Sequence, residues 1–160
     1  MHPAISDNHI KALTKIIPIL QENNITYRIT GGLAGNLYGS QWQLHDIDIE
    51  VAQKDINKVE ELFQEYIAIA LMRLVDDEFD LRIMTLEIEH VDIEINQAED
   101  AFVFHNDLPV RLNHNLSKFN LIHFAGLELR VQPLEEIIQY KELIGRTNDL
   151  VDLRQLQENL

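Results

Sequence analysis

In this 160-residue chain, two glycines and two aspartates have the spacing that most directly implies chemistry. Thr30-Gly31-Gly32-Leu33-Ala34 follows a short apolar run, and thirteen residues separate Gly32 from Asp46 in His45-Asp46-Ile47-Asp48-Ile49-Glu50-Val51. Paired glycines at a strand-to-helix turn allow positive φ and leave backbone N–H groups open to phosphate oxygens. Strand side chains alternate, so Asp46 and Asp48 share one face of the next strand while Ile47, Ile49 and Val51 share the other. Two carboxylates on one face are oxygen ligands suited to Mg2+. A bend that can approach phosphate, set opposite a hard-cation site, is the minimum equipment for moving a nucleotide. Asp-x-Asp alone is commonly a solvated strand face and also recurs in metal-dependent glycosyltransferases. The upstream glycine pair is what makes the pattern specific.

The elements that must position these residues follow from periodicity. Ser6 or Asp7 caps a first helix with Ile10, Leu13, Ile16, Ile17 and Leu20 at helical spacing, which Pro18 should kink or end early. Tyr27 to Thr30 reads as a strand, and a brief helix through Leu33, Ala34 and Leu37 stops at Gly39. Asp46 to Val51 is the carboxylate strand, and Asp55 caps a helix carrying Val59, Leu62, Phe63 and Tyr66. Ile67 to Val75 is ambiguous between helix and buried strand. Leu81 to Ile88 alternates, changes phase at Glu89-His90 and resumes through Val91, Ile93 and Ile95, which predicts a hairpin. A strand over Leu127 to Val131 precedes a helix from Leu134 to Ile144. Thr147 or Asn148 then caps a last helix with Leu150, Leu153, Leu156 and Leu160.

This order predicts one α+β (α/β) domain over residues 1–160, with a core of about 25–131 and C-terminal helices over about 134–160. Apolar residues make up 46% and charged residues 25%, ordinary for a globular chain. Absence of cysteine excludes disulfides, thiolate metal sites and cysteine nucleophiles. A net charge of −14, with seven arginines and six lysines scattered, disfavours nucleic acid as a partner. A free nucleotide remains compatible, because Mg2+ carries part of its charge into a site, and a small amine acceptor would suit the acidic surface. No signal peptide or membrane span is expected, which makes the cytoplasm the expected location. The histidines, including His90, His105, His114 and His123, lack metal-ligand spacing, and neither a Gly-x-Ser-x-Gly elbow nor a Gly-Lys-Ser phosphate loop is present.

On Gly31-Gly32, Asp46-Ile47-Asp48-Ile49 and the matching Ala34, Asn36 and Gly39, the chain resembles the nucleotidyltransferase superfamily that includes DNA polymerase β. Its small bacterial antibiotic nucleotidyltransferases and abortive-infection toxins are the most similar members. The resemblance implies a palm-type mixed β-sheet flanked by helices, with a C-terminal helical segment. It also implies two Mg2+ ions (Mn2+ in their place being compatible) and transfer of NMP from an NTP to a hydroxyl acceptor, with pyrophosphate released. Asp46 and Asp48 would be catalytic metal ligands, with Gly31 and Gly32 on the triphosphate. A third carboxylate is expected on a neighbouring strand, where Val91-Asp92-Ile93-Glu94-Ile95 supplies Asp92 as first choice and Glu94 as alternative. Asp92 would be a metal ligand or the base for the acceptor hydroxyl.

Pro133-Leu134-Glu135-Glu136-Ile137-Ile138, Lys141, Arg146 and the closing Asp149-Leu150-Val151-Asp152-Leu153 resemble the family's C-terminal pattern, in which Lys141 would face the phosphates. Ser40, beside Gly39, could bind phosphate, and turn chemistry accounts for it equally well. The chain departs from close relatives at Trp42 and Leu44, where an arginine and a threonine are usual. Trp42 would stack on a base or aromatic acceptor, or cover the core. The acceptor would be a small molecule or a protein, and a homodimer partner or second protein would complete the cleft. The alternative is a catalytically weak or inactive nucleotidyltransferase-like module with a binding or regulatory role in a toxin–antitoxin-type pair.

Overall fold

The computed structural model describes residues 2–112 and 114–159, without the side chains of 147–149. Helix α1 (Asp7–Glu22) leads into β1 (Tyr27–Thr30), α2 (Gly31–Tyr38), β2 (Ile47–Val51), α3 (Ile56–Leu62) and a 3-10 turn at Gln64–Tyr66. Strands β3 (Ile67–Val75), β4 (Phe79–Ile88), β5 (Val91–Gln97), β6 (Phe102–His105), β7 (Leu108–Arg111), β8 (Asn120–Phe124) and β9 (Leu127–Val131) follow. Helices α4 (Leu134–Ile144) and α5 (Thr147–Glu158) close the chain. The nine strands form a mixed sheet in the order β7-β6-β4-β5-β2-β1-β9-β8, with β3 pairing only with β4. This is the palm-type sheet flanked by helices that the sequence predicts.

One face of the sheet is apolar. Ile29, Ile49, Met84, Leu86, Ile93 and Ile95 form a continuous core with Leu13, Ile16, Ile17 and Leu20 of α1 and with Ile56, Val59 and Phe63 from α3 and the residue that ends it. Each such side chain contributes about 1.5–3 kcal/mol of transfer free energy, which accounts for one departure from expectation. Helix α1 runs through Pro18 without ending, because buried Ile16, Ile17 and Leu20 pin the chain on both sides of it. Its start is reinforced by a capping box in which Ser6 and His9 exchange side-chain-to-backbone hydrogen bonds.

The segment Ile67 to Val75 resolves as a strand at the sheet's edge, with register irregularities between Ile67 and Ile69 and between Ile69 and Met72. The hairpin at Glu89-His90 forms as expected, both residues lying at positive φ (54° and 61°). Strands β6, β7 and β8 were not anticipated, although Asn106-Asp107 and Ala125-Gly126 turn their hairpins with the same backbone signature. Asp55 precedes α3, but its carboxylate accepts from the Thr26 N–H at 3.0 Å rather than capping the helix. Arg146, not Thr147 or Asn148, is the residue before α5, and Leu160 and the Asp149 side chain lie outside the described residues.

Candidate active site

The opposite face of the sheet is polar, and register places its side chains in cross-strand rows. Thr30 of β1 stands opposite Asp48 of β2, Asp48 opposite Glu94 of β5, and Glu94 opposite Thr85 of β4. Residues directly paired across strands share a face, so Asp48 and Glu94 meet. Asp92 lies two residues nearer the hairpin, exposed, opposite Glu87. Asp46 sits just before β2, exposed on the approach to Asp48.

Asp48 is the electrostatic centre. Burial, then the Glu94 charge, a hydrogen bond with Glu94 and the Asp46 charge push its carboxyl up to about 8, while the Lys141 ammonium opposes them. Both strong perturbers are carboxylates on the same face, and clustered like charges of this kind mark functional sites. Among the described residues no three His, Asp or Glu side chains are drawn together tightly enough to enclose a metal ion as they stand. The donor set of Asp46, Asp48 and Glu94 nevertheless fits a hard divalent cation: all three offer oxygen, and the crowding of like charge that raises the Asp48 carboxyl is what such a cation relieves.

The glycine bend abuts this carboxyl. Gly31 has φ +62°, and a Cβ there would lie 2.9 Å from the Asp48 carboxyl carbon and overlap its oxygen. Gly31 is therefore required twice, by backbone conformation and by space. Gly32 differs: a Cβ there would meet Leu44 Cδ1 at 3.4 Å, ordinary contact. Thr30 makes no side-chain cap on α2, so the first-turn N–H groups beside Asp48 are not spent on one.

Trp42 lies against α2. Its indole N–H donates to the Gly32 carbonyl at 3.1 Å, and its ring occupies the space a side chain at Gly35 would need. Asn36 Nδ2 donates to the Trp42 carbonyl at 3.0 Å and to the Ser40 carbonyl and hydroxyl at 3.1 Å each. Ser40 is thus buried and held by Asn36. Lys141, buried on α4, has its ammonium 5.8 Å from the Trp42 ring centroid and acts on Asp48 from the helix side. Trp42, where an arginine is usual, thus brings no charge of its own and lies beside the Lys141 ammonium.

Two features went unread in the sequence. Tyr140, next to Lys141, has its hydroxyl pushed up to about 12, first by burial and further by Asp48 and Glu78, with Arg146 opposing. Deeper along the polar face is fully buried Arg28, whose guanidinium donates to Glu50 at 2.6 Å and to Glu136 of α4 at 3.1 Å. It also donates to the carbonyls of Asn115 and Lys118, at 3.2 Å and 2.7 Å, and His114 bonds the second Glu50 oxygen. Glu50, expected on a strand's polar face, is thus fully buried. Alternation assigns Arg28 and Glu50 to faces of their own strands, but nothing in one sequence says which antiparallel register sets them opposite each other.

A sheet of this topology with carboxylates paired beside a glycine bend defines a nucleotidyltransferase fold of the DNA polymerase β superfamily. Residues 12–117 match the aminoglycoside-2''-adenylyltransferase family, and the chain belongs to it. Among solved structures it is similar to a provisionally named nucleotidyltransferase from Thermotoga maritima, at 22% identity and TM-score 0.78 over 98% of this chain and 96% of that one. It is also similar to ANT(2")-Ia in complex with adenylyl-2"-tobramycin, at 17% identity and TM-score 0.62 over 94% and 88% of the two chains. A third is the lincosamide antibiotic adenylyltransferase LnuA bound to lincomycin, at 18% identity and TM-score 0.61 over 96% and 99%. These likenesses establish the fold. Comparison with curated protein sequences gives no match.

Proposed function

We infer that the chain transfers NMP from an NTP to the hydroxyl of a small molecule, with release of pyrophosphate. The observation that carries this is Asp48, wedged between the Gly31 bend and Glu94 and faced by Lys141. Asp46, Asp48 and Glu94 would hold Mg2+, which when bound neutralises triphosphate charge and favours in-line displacement. The register supports Glu94 rather than Asp92 as the third ligand, because Glu94 is the residue paired with Asp48. Asp92, exposed two residues away on the same face, is left for the acceptor side, as a base for the incoming hydroxyl.

The chain's own groups do the rest. The α2 first-turn N–H groups and the Gly31-Gly32 backbone orient phosphate oxygens. Lys141 balances the negative charge that gathers on the leaving pyrophosphate, and Trp42 keeps its ammonium in place through cation–π attraction. The two structural relatives bound to adenylyl-2"-tobramycin and to lincomycin favour a small hydroxylated compound as acceptor over a protein.

Incubation with each α-labelled NTP, Mg2+ and a panel of hydroxylated amines tests the reading. A labelled product that vanishes in Asp46→Asn/Asp48→Asn supports it. Unchanged NTP binding and transfer in that double variant would refute it. Tight Mg2+-dependent NTP binding with no labelled product across the panel or a lysate would instead favour a binding module.

A further inference from the structure

Of the three carboxylates assigned to the metal, Asp46 is the one that no regular element holds. Asp48 and Glu94 sit in β2 and β5, where the ladder fixes them, whereas Asp46 falls in the bend one residue before β2, exposed. Its place is set by what anchors Leu44 and His45. Leu44 is buried, and its N–H donates to the Ala4 carbonyl at 3.1 Å. The His45 carbonyl is met at 2.7 Å by Nε2 of His9, a residue 36 positions earlier in the chain. Both ties run to the N-terminal segment, one to the stretch before α1 and one to its first turn.

His9 is only 7% exposed, and both of its ring nitrogens are engaged. A carbonyl can only accept, so Nε2 carries the proton and donates it to His45. Nδ1 is then the acceptor, taking the Ser6 N–H at 3.3 Å and the Ser6 hydroxyl at 2.6 Å. The two sides of the ring thus demand the same tautomer. A capping box ordinarily places Glu or Gln at this third helical position. A glutamate would serve the cap equally, but it would set an acceptor against the His45 carbonyl. The histidine therefore does more than start the helix: it spans from α1 to the residue that precedes Asp46.

We propose that His9 is a positioning residue for Asp46, holding the approach to β2 so that this carboxylate faces the cation shared with Asp48 and Glu94. This rests on the nucleotidyl-transfer reading and adds to it a residue of α1. Site geometry must be held to within about 0.5 Å. Loss of a supporting hydrogen bond typically weakens metal binding about 10–100-fold. Here the support acts through one peptide unit, which places the effect at the low end of that range.

The test measures the Mn2+–ATP affinity of the full chain by water-proton relaxation, beside its melting temperature. His9→Met removes the donor and should weaken Mn2+–ATP binding about tenfold. His9→Gln, similar in length to that methionine, offers an amide donor to His45 and should recover most of the loss. Ser6→Ala removes the capping hydroxyl but leaves His9 its reach, so it should lower the melting temperature without weakening Mn2+–ATP binding. Wild-type affinity in His9→Met, no recovery in His9→Gln, or an equal loss in Ser6→Ala would each overturn the proposal. Imidazole nitrogen shifts of the wild type give a check that needs no variant: the Nε2–H tautomer is expected, and the Nδ1–H tautomer would overturn the assignment. Asp48→Asn separates the proposal from the reading beneath. If Asp48→Asn loses Mn2+–ATP binding while His9→Met keeps it, only the role of His9 fails. If Asp48→Asn binds as the wild type does, the nucleotide reading fails and the role of His9 falls with it.

Discussion

Gly31 and Gly32 look equivalent in the sequence, yet only the first is constrained by its surroundings. Gly31→Ala places a methyl group on the Asp48 carboxyl at a φ that costs an L residue about 1–2 kcal/mol. It should therefore abolish Mg2+-dependent NTP binding, measured by calorimetry. Gly32→Ala meets only ordinary contacts and lies in a helix, so it should keep or slightly raise the melting temperature. Asp48 yields a pH prediction for the metal-free protein. Its folded carboxyl titrates near 8 against an ordinary value of 3.8, so the folded state binds the extra proton between those values. Stability should thus fall as pH rises from about 4 to about 8 and level off above. Asp48→Asn should flatten that fall and raise the melting temperature at pH 8, read by thermal denaturation in EDTA. A melting curve for the variant that still declines over the same range would show that the strain lies elsewhere.

At the scale of elements, α4 is placed by a buried ion group rather than by apolar packing alone. Glu136 is bound to Arg28, and Lys141 projects from the same helix toward Asp48. Arg28→Met leaves Glu50 buried without its guanidinium and frees the carbonyls of Asn115 and Lys118. A loss of about 3–5 kcal/mol by urea denaturation is expected. Much of this architecture was legible beforehand. The glycine bend, the carboxylate strand, the Glu89-His90 hairpin and helix α4 each carry a local signal: a turn residue, an alternation or a cap. What was not legible depended on pairing. Whether Asp92 or Glu94 meets Asp48 is decided by the parallel β2–β5 register, which no local pattern encodes. The β6–β7 hairpin is hard to read because its Asn106-Asp107 turn lacks the glycine that usually announces one, whereas β8 carries that signal in Ala125-Gly126 and was overlooked. Ser40 was ambiguous in the sequence, and the Asn36 amide accounts for its burial.

For the molecule as a whole, the dominant quantity is the net charge of −14. Self-repulsion at this level destabilises the compact state and is screened by salt, so raising NaCl from about 20 mM to about 500 mM should raise the melting temperature. The same field should prevent a mobility shift with tRNA at low salt, where it is least screened. No helix among the described residues is long and apolar enough to cross a membrane. The sheet also joins distant parts of the chain: β9 reaches β1 through the single parallel bridge of Ile29 with Val131, and α4 follows directly from β9. In a random-mutagenesis screen for inactive alleles, hits should therefore gather not only at the acidic residues but equally at Arg28, Glu50 and Glu136. Second-site revertants of such alleles should fall along α4, because what those mutants have lost is the helix's alignment and not its chemistry.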